Sequence, residues 1–400
     1  MNVKIYKSRA AGKIKVPPSK SMAHRYLICA GLCSGESEIS GVDLNEDVLA
    51  TIDCMKNIGA ECEIYKDTVR VKADFNVKSG SVCCRESGST LRFFIPIFLS
   101  GNVPITLTGY GRLFSRPLGT YQDICRERNL KFDLKENSLE LSGGLKSGEF
   151  NIRGDISSQF ISGLLFALPT LSGDSVINLT TPPESVPYIE MTRSVLEKFG
   201  IITEFCRNKI YTRGDQKYLP HSGNVEGDYS NSAFLHAFNL IGGNVSPEGL
   251  NENSLQGDKI YLKYFDEISK GAPTLDIKDT PDLAPILITL MAMCGGGRLT
   301  GTKRLKIKES DRGQAIRAEL EKFGAEISLY EDEIEVKKSD LHAPHEILLS
   351  HGDHRIVMSL AVISSVYGGE IEGAENVKKS YPKFFDDISS LGIEVEFIDK

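Results

Sequence analysis

Two hydroxyls and two cations crowd into Pro17-Pro18-Ser19-Lys20-Ser21-Met22-Ala23-His24-Arg25, directly before the apolar run Tyr26 to Leu32. Such a stretch can bind an anion at a helix N-terminus. The prolines disfavour helix before them, Ser19 or Ser21 can cap, and the exposed N–H groups and helix dipole attract a phosphate or carboxylate. Lys20 and Arg25 add full charges. A capped helix with solvated cations would explain this stretch alone equally well. Repetition separates the two readings. Similar small, hydroxylic or charged segments precede further apolar runs: Glu86-Ser87-Gly88-Ser89-Thr90-Leu91-Arg92, Asp155-Ile156-Ser157-Ser158-Gln159, Glu226-Gly227-Asp228-Tyr229-Ser230-Asn231, Asp279-Thr280-Pro281-Asp282 and Gly352-Asp353-His354-Arg355. Capping explains one Ser or Asp in each. It does not explain Arg92, Gln159 and Arg355 in the opening turns of helices that must be buried, where a cation opposes the helix dipole. A bound anion reverses that penalty. Lys306-Ile307-Lys308-Glu309-Ser310-Asp311-Arg312, Ser115-Arg116-Pro117 and Lys378-Lys379-Ser380 add further charge at other helix starts.

The positioning elements repeat six times: Tyr26 to Leu32, Leu91 to Leu99, Phe160 to Leu171, Ala233 to Ile241, Leu283 to Met293 and Ile356 to Tyr367. Each apolar run leaves through Gly into a short strand, as in Gly101-Asn-Val-Pro-Ile and Gly173-Asp-Ser-Val-Ile. An amphipathic helix follows in most units, and several end in a second Gly-plus-strand phrase such as Phe323-Gly-Ala-Glu-Ile-Ser-Leu. The repeat is a mixed helix–strand unit of about 65 residues. Its first helix is apolar nearly all round and too short to cross a bilayer, so it must be buried. Helices inside and strands outside follow. Length favours two groups of three, with a six-unit ring as the alternative. Parallel buried helices would converge their N-termini on one face of each group, each adding about 0.3–1 kcal/mol toward an anion, and two facing groups would form a cleft.

Composition narrows the classes. Four hundred residues suggest two domains. A formal charge of −7 argues against nucleic acid or an acidic membrane surface as the main partner. The nine cysteines lack CxxC spacing and mostly sit in apolar runs, as expected for reduced, buried thiols in a cytoplasmic protein. The seven histidines show no zinc-ligand spacing, so no metal is expected. The start of the chain shows neither the apolar core of a signal peptide nor a transit-like segment.

Six ordered motifs carry a resemblance across essentially the whole chain: Ser19-Lys20-Ser21-x-x-x-Arg25, Gly88-Ser89-Thr90-x-Arg92, Arg116-Pro117-Leu118-Gly119, Ser157-Ser158-Gln159-Phe160, Lys308-Glu309-Ser310-Asp311-Arg312 and Asp353-His354-Arg355. The chain resembles the 5-enolpyruvylshikimate-3-phosphate synthases of the enolpyruvyl transferase family. The resemblance implies a two-domain inside-out α/β barrel of six βαβαββ-type repeats, three per domain, with buried parallel helices. It also puts the first strand with the second half, giving domains of residues 1–15 plus 226–400 and 16–225.

The family activity it implies is transfer of the enolpyruvyl group of phosphoenolpyruvate to the 5-hydroxyl of shikimate 3-phosphate. Phosphate leaves through a tetrahedral intermediate in the cleft between domains, within the shikimate pathway to chorismate and the aromatic amino acids. By motif match, Lys20, Gly88, Arg116, Gln159, Arg312, Arg355 and Lys379 would hold phosphoenolpyruvate. Lys20, Ser21, Arg25, Ser157, Ser158, Gln159, Ser185, Asp282 and Lys308 would hold shikimate 3-phosphate. Lys20, Asp282 and Glu309 are the catalytic candidates: Asp282 near the hydroxyl, Glu309 near the methylene, Lys20 serving either side. Expulsion of water implies domain closure over substrate. No cofactor is called for. A cytoplasmic monomer with small-molecule substrates, and neither nucleic acid nor membrane, is expected.

Several positions depart from the family pattern: Pro18 for Gly, His24 for Asn, Glu86-Ser87-Gly88-Ser89 for Asn-Ala-Gly-Thr, Phe93 for a common Pro, and Arg304 where some members have Asn. The principal charges survive, while response to glyphosate, an inhibitor of this family, becomes hard to predict. The related UDP-N-acetylglucosamine enolpyruvyl transferases resemble chains with a Cys in the loop before Arg-Pro. Here Tyr110 to Ser115 holds none. RNA 3′-phosphate cyclases share related units but need a nucleotide site, and no P-loop is present. A non-catalytic anion binder is disfavoured by Lys20, Asp282 and Glu309 occurring together.

Overall fold

The computed structural model describes residues 1–398 and resolves two compact units, one of Met1–Pro17 with Gly227 onward, the other of Pro18–Glu226. The continuous unit, Pro18–Glu226, contains α1 (Lys20–Gly31), α2 (Glu46–Lys56), α3 (Gly88–Ser100), α4 (Gly119–Glu127), α5 (Ser158–Ala167) and α6 (Val186–Lys198). The discontinuous unit contains α7 (Tyr229–Leu240), α8 (Tyr261–Lys270), α9 (Ala284–Cys294), α10 (Arg312–Glu321), α11 (His354–Tyr367) and α12 (Phe384–Ser390).

Odd-numbered helices form the two cores. Every residue from Met22 to Gly31 of α1, Thr90 to Leu99 of α3, Ala284 to Ala292 of α9 and His354 to Ser365 of α11 is buried. The even-numbered α4 and α8 instead bury one face, through Tyr121, Ile124 and Cys125 and through Tyr261, Tyr264, Phe265 and Ile268. This is the division expected when an all-round apolar helix has no solvent face and an amphipathic one covers it. At Gly163 of α5 the backbone approaches α3 so closely that a Cβ would lie 2.5 Å from the Arg92 carbonyl oxygen. The Tyr121 hydroxyl ties the same place, donating to the carbonyls of Arg92 (2.8 Å) and Phe160 (3.1 Å).

Sheets cover the helices. In the continuous unit three four-stranded sheets share one plan: a parallel pair extended by an antiparallel hairpin, for example Gly80–Cys83 beside Ile105–Thr108, then Ser138–Ser142 and Lys131–Leu134. Thr274–Asp276, Gly297–Thr300, Glu333–Val336 and Ile327–Leu329 repeat the plan in the discontinuous unit. Two sheets depart from the simple repeat. Asn2–Ile5 sits between Gly369–Glu372 and Val395–Ile398, in the place a hairpin strand takes elsewhere. Ala11–Lys15, just before α1, pairs in parallel with Asn244–Glu248, and this sheet has only two strands. Gly223–Asn224, just before α7, pairs in parallel with Ser34–Ser40. The strands preceding α1 and α7 have therefore exchanged units. Cysteines follow burial only partly: Cys29, Cys33, Cys54, Cys84 and Cys125 are buried, but Cys83 and Cys206 are exposed because they end strands on the solvent side. No helix among the described residues is long and apolar enough to cross a membrane.

Candidate active site

Helix starts place the site residues of the continuous unit. Ser19, Ser87 and Ser157 cap α1, α3 and α5 by accepting from the N–H groups of Met22, Thr90 and Gln159. Capping thus falls to Ser19 and Ser157, with Ser21 two residues and Ser158 one residue further into the turn. Lys20 Nζ lies 2.8 Å from Asp47 Oδ2. Arg25, only 2% exposed, donates Nε to Thr192 Oγ1 (2.9 Å), Nη1 to the Ser21 carbonyl (2.7 Å) and Nη2 to the Tyr188 carbonyl (3.0 Å). Burial pulls its pKa down to about 10. Ser185 immediately precedes α6, the helix that carries Tyr188 and Thr192, and is held at φ 57°. A buried non-glycine residue in the left-handed region stores strain of about 1–3 kcal/mol, of the kind that clusters at functional sites.

Arg92, buried in α3, donates Nη1 to Gln159 Oε1 (2.7 Å) and Nη2 to the Pro117 carbonyl (3.0 Å), while Gln159 Nε2 donates to Ser89 Oγ (2.8 Å). Burial first, and then the neighbouring Arg116 charge, holds Arg92 well below the usual arginine range. The Arg116 guanidinium lies against Gly88, where a Cβ would be 2.6 Å from its central carbon. Beneath these groups runs a buried hydroxyl chain: His24 Nδ1 to Thr51 Oγ1 (2.7 Å), Thr51 to Thr90 Oγ1 (2.8 Å), Thr90 to Ser87 Oγ (2.7 Å). Burial drives His24 down to about 3, so its imidazole is neutral at physiological pH.

In the discontinuous unit Lys308, Arg312 and Arg355 face carboxylates. Asp282 Oδ1 accepts from Arg312 Nη1 (2.7 Å) and Lys308 Nζ (3.2 Å), and Oδ2 accepts from Arg355 Nη2 (2.9 Å). Burial works to raise Asp282, but Arg355, Lys308 and Arg312 outweigh it and hold the carboxyl well below its usual range. Lys308 is lowered to about 8, by burial first, against the pull of Asp282. Asp353 caps α11 through the Arg355 N–H (2.9 Å) and also accepts from Arg312 Nε (2.8 Å) and the Ser310 hydroxyl (3.1 Å). Glu309 Oε2 is 2.8 Å from His354 Nδ1, and Lys379 Nζ donates to the Gly352 carbonyl (2.7 Å). Glu309, Asp353 and His354 could present metal-ligand atoms within 4.8 Å of one another. Arg312 already supplies positive charge there, 2.8 Å from Asp353 and 3.9 Å from Glu309.

Within the discontinuous unit, Asp282, Lys308, Glu309, Arg312 and Arg355 form one connected network. In the continuous unit, Arg92 and Gln159 are joined directly, Gly88 carries Arg116, and Ser21 and Arg25 meet through a backbone carbonyl. Sequence reasoning did not name Asp47, Thr192 or the roles of Asp353 and His354. Asp47 reads as an ordinary acid in the first turn of an amphipathic helix, and Thr192 as a small residue inside α6; neither carries a local signal.

A family profile described as EPSP synthase (3-phosphoshikimate 1-carboxyvinyltransferase) matches residues 6–388. The chain belongs to this family. It is 40% identical over 419 residues to the 3-phosphoshikimate 1-carboxyvinyltransferase of Clostridium kluyveri, covering 98% of each chain. It is 39% identical over 433 residues to the protein of the same name from Clostridioides difficile, covering 99% of this chain and 98% of that one. An EPSP synthase structure from Acinetobacter baumannii matches in fold with a TM-score of 0.79 at 22% identity, over 99% of this chain and 100% of that one.

Proposed function

We propose that this protein transfers the enolpyruvyl group of phosphoenolpyruvate to the 5-hydroxyl of shikimate 3-phosphate, releasing phosphate. The observation that carries this reading is the full-length match to relatives named for that reaction, at 40% identity over 98% of the chain. The geometry supports it independently, since two polyanionic substrates need cations, and Lys308, Arg312 and Arg355 gather on one carboxylate, Asp282.

Phosphoenolpyruvate is taken by Lys20, Gly88, Arg116, Gln159, Arg312, Arg355 and Lys379. Shikimate 3-phosphate is taken by Lys20, Ser21, Arg25, Ser157, Ser158, Gln159, Ser185, Asp282 and Lys308. Asp282 accepts the 5-hydroxyl proton as the oxygen attacks the second carbon of phosphoenolpyruvate, and Glu309 delivers a proton to the methylene. The methyl then returns a proton as the carbon–oxygen bond to phosphate breaks. Lys20, braced by Asp47, serves either proton or the departing phosphate. Without substrate, Asp282 is too strongly paired to be a good base. Once substrate anions draw Arg355 and Lys308 away, it loses two of its three cations and its basicity rises. The His354 ring, 2.8 Å from Glu309, supports that carboxyl in its proton exchange.

The deciding assay measures phosphate release from phosphoenolpyruvate with shikimate 3-phosphate, beside an identical assay with UDP-N-acetylglucosamine. Release with shikimate 3-phosphate alone is expected. Release only with the nucleotide sugar would overturn the acceptor, and none with either would favour a non-catalytic anion binder.

A further inference from the structure

One buried carboxylate of the discontinuous unit has no place in the scheme above. Asp258 lies in the 3-10 turn Gly257–Ile260, just before α8, and is only 3% exposed. The turn is clamped to the start of α7 by Gln256, whose amide donates to the Gly227 carbonyl (2.8 Å) and accepts from the Tyr229 N–H (3.1 Å). That clamp brings Asp258 up to Ser230, whose hydroxyl favours the ionised carboxyl against burial. Ser230 Oγ accepts from Arg355 Nη1 at 2.6 Å, and the other arm of Arg355 reaches Asp282 Oδ2 at 2.9 Å. A single guanidinium is thus shared by two carboxylates, directly by Asp282 and through a hydroxyl by Asp258.

We propose that Asp258 is a positioning residue that acts through Ser230 on Arg355, setting how Arg355 is divided between Asp282 and the incoming phosphoenolpyruvate anion. This rests on the reading of Arg355 as a phosphoenolpyruvate ligand. The two carboxylates have opposed environments, a pattern that separates groups able to exchange protons near neutrality from those that stay ionised. Asp282 is surrounded by cations. Asp258 is pushed up to about 7 by burial and then by the charge of Asp282, against Arg355 and the Ser230 hydroxyl. The other groups facing it are Asp228, which caps α7 and adds to the upward push, Arg355 from α11 and Asp282 from the start of α9. On its own side, Lys259 is turned to the Glu252 carbonyl and the Tyr261 hydroxyl to Ser232 (3.0 Å). Ionised Asp258 draws Arg355 toward Ser230 and adds a negative charge near the anion. Neutral Asp258 keeps the hydroxyl bond as an acceptor but releases that pull.

The test compares wild type with Asp258→Asn, which mimics the neutral carboxyl. The KM for phosphoenolpyruvate is measured from pH 6 to pH 8.5 with shikimate 3-phosphate saturating. The ratio of wild-type to variant KM cancels the ionisation of phosphoenolpyruvate itself. It is expected to rise with pH through about 7 and level off at roughly tenfold, the scale of one unit charge acting at short range in a partly shielded site, with KM moving more than kcat. A second readout needs no substrate. Wild type should lose thermal stability relative to the variant as pH rises from about 4 to about 7, because the unfolded carboxyl ionises first and the folded one resists, with no further loss above. Should Asp258→Asn fail to fold, Ser230→Ala must flatten the same KM profile. A pH-independent ratio in an active enzyme overturns the inference alone, as does a flat stability gap. Wild-type protein that releases no phosphate overturns the functional reading beneath it.

Discussion

Arg25 and Arg92 of one unit and Arg312 and Arg355 of the other are held in opposite ways. In the continuous unit Arg25 and Arg92 are buried against neutral acceptors: a threonine hydroxyl and carbonyls for Arg25, Gln159 and a carbonyl for Arg92. In the discontinuous unit Arg312 and Lys308 face Asp282, and Arg312 faces Asp353 as well. Burial accordingly lowers Arg25 and Arg92, whereas Arg312 is raised, its carboxylate partners overcoming burial. The first arrangement leaves positive charge uncompensated, and the second neutralises it beforehand. On the function proposed above, an anion would relieve the first on arrival, whereas in the second it would compete with carboxylates and free them for proton transfer.

If the discontinuous unit performs the proton work, its carboxylates should show the largest effects on turnover. Glu309→Gln keeps size and hydrogen bonding but cannot carry a proton, so kcat should fall by about 10²–10⁴-fold while KM for either substrate moves little. Steady-state kinetics beside wild type decides it, and an unchanged kcat would remove Glu309 from the mechanism.

Stability should separate the units next. Asp353→Asn leaves Arg312 buried with one charged partner fewer, and breaking a buried pair from one side costs about 3–5 kcal/mol. Denaturant unfolding without substrate should register that loss. Arg25→Met makes the opposite change, removing a buried cation that has no carboxylate to strand. The substrate-free protein should be no less stable than wild type, since a buried cation without a counter-charge carries a desolvation cost that its removal lifts. Its KM for shikimate 3-phosphate should rise by about 10–150-fold, the worth of a hydrogen bond to a charged group. If Arg25→Met unfolds as easily as Asp353→Asn, the contrast between the units fails.

Much of this contrast could be read from residue order, but its partners could not. Buried helices follow from apolar runs such as Leu91 to Leu99 that leave no polar face, and their starts follow from Ser19, Ser87 and Ser157 at cap positions. Strand exchange left no such mark. Ala11–Lys15 is largely exposed and holds Gly and two Lys, so its sequence does not choose among sheet edges; only its pairing with Asn244–Glu248 does. Asp47 and Asp258 were silent for a related reason. Each acts through a residue distant in sequence, Lys20 at 2.8 Å in one case and Arg355 by way of Ser230 in the other, and an isolated Asp at a helix start already has an ordinary explanation.

The smallest effect tests the continuous unit as a preformed anion cradle. Gly88 has no side chain where Arg116 crosses it, and an added methyl would fall 2.6 Å from the guanidinium carbon and 2.9 Å from Nη2. The φ of Gly88 does not demand glycine, so Gly88→Ala should fold normally, as the far end of a flexible arginine can move aside. What it cannot do is move aside and still aim at the same anion. The KM for phosphoenolpyruvate should rise by roughly tenfold, about 1.4 kcal/mol, with shikimate 3-phosphate binding nearly unchanged because Arg25 and Ser185 lie on other elements. Inhibition by glyphosate should weaken in parallel. Equal KM and equal inhibition in variant and wild type would mean that Arg116 finds a second productive position, and that the cradle adapts to its anion rather than waiting for it.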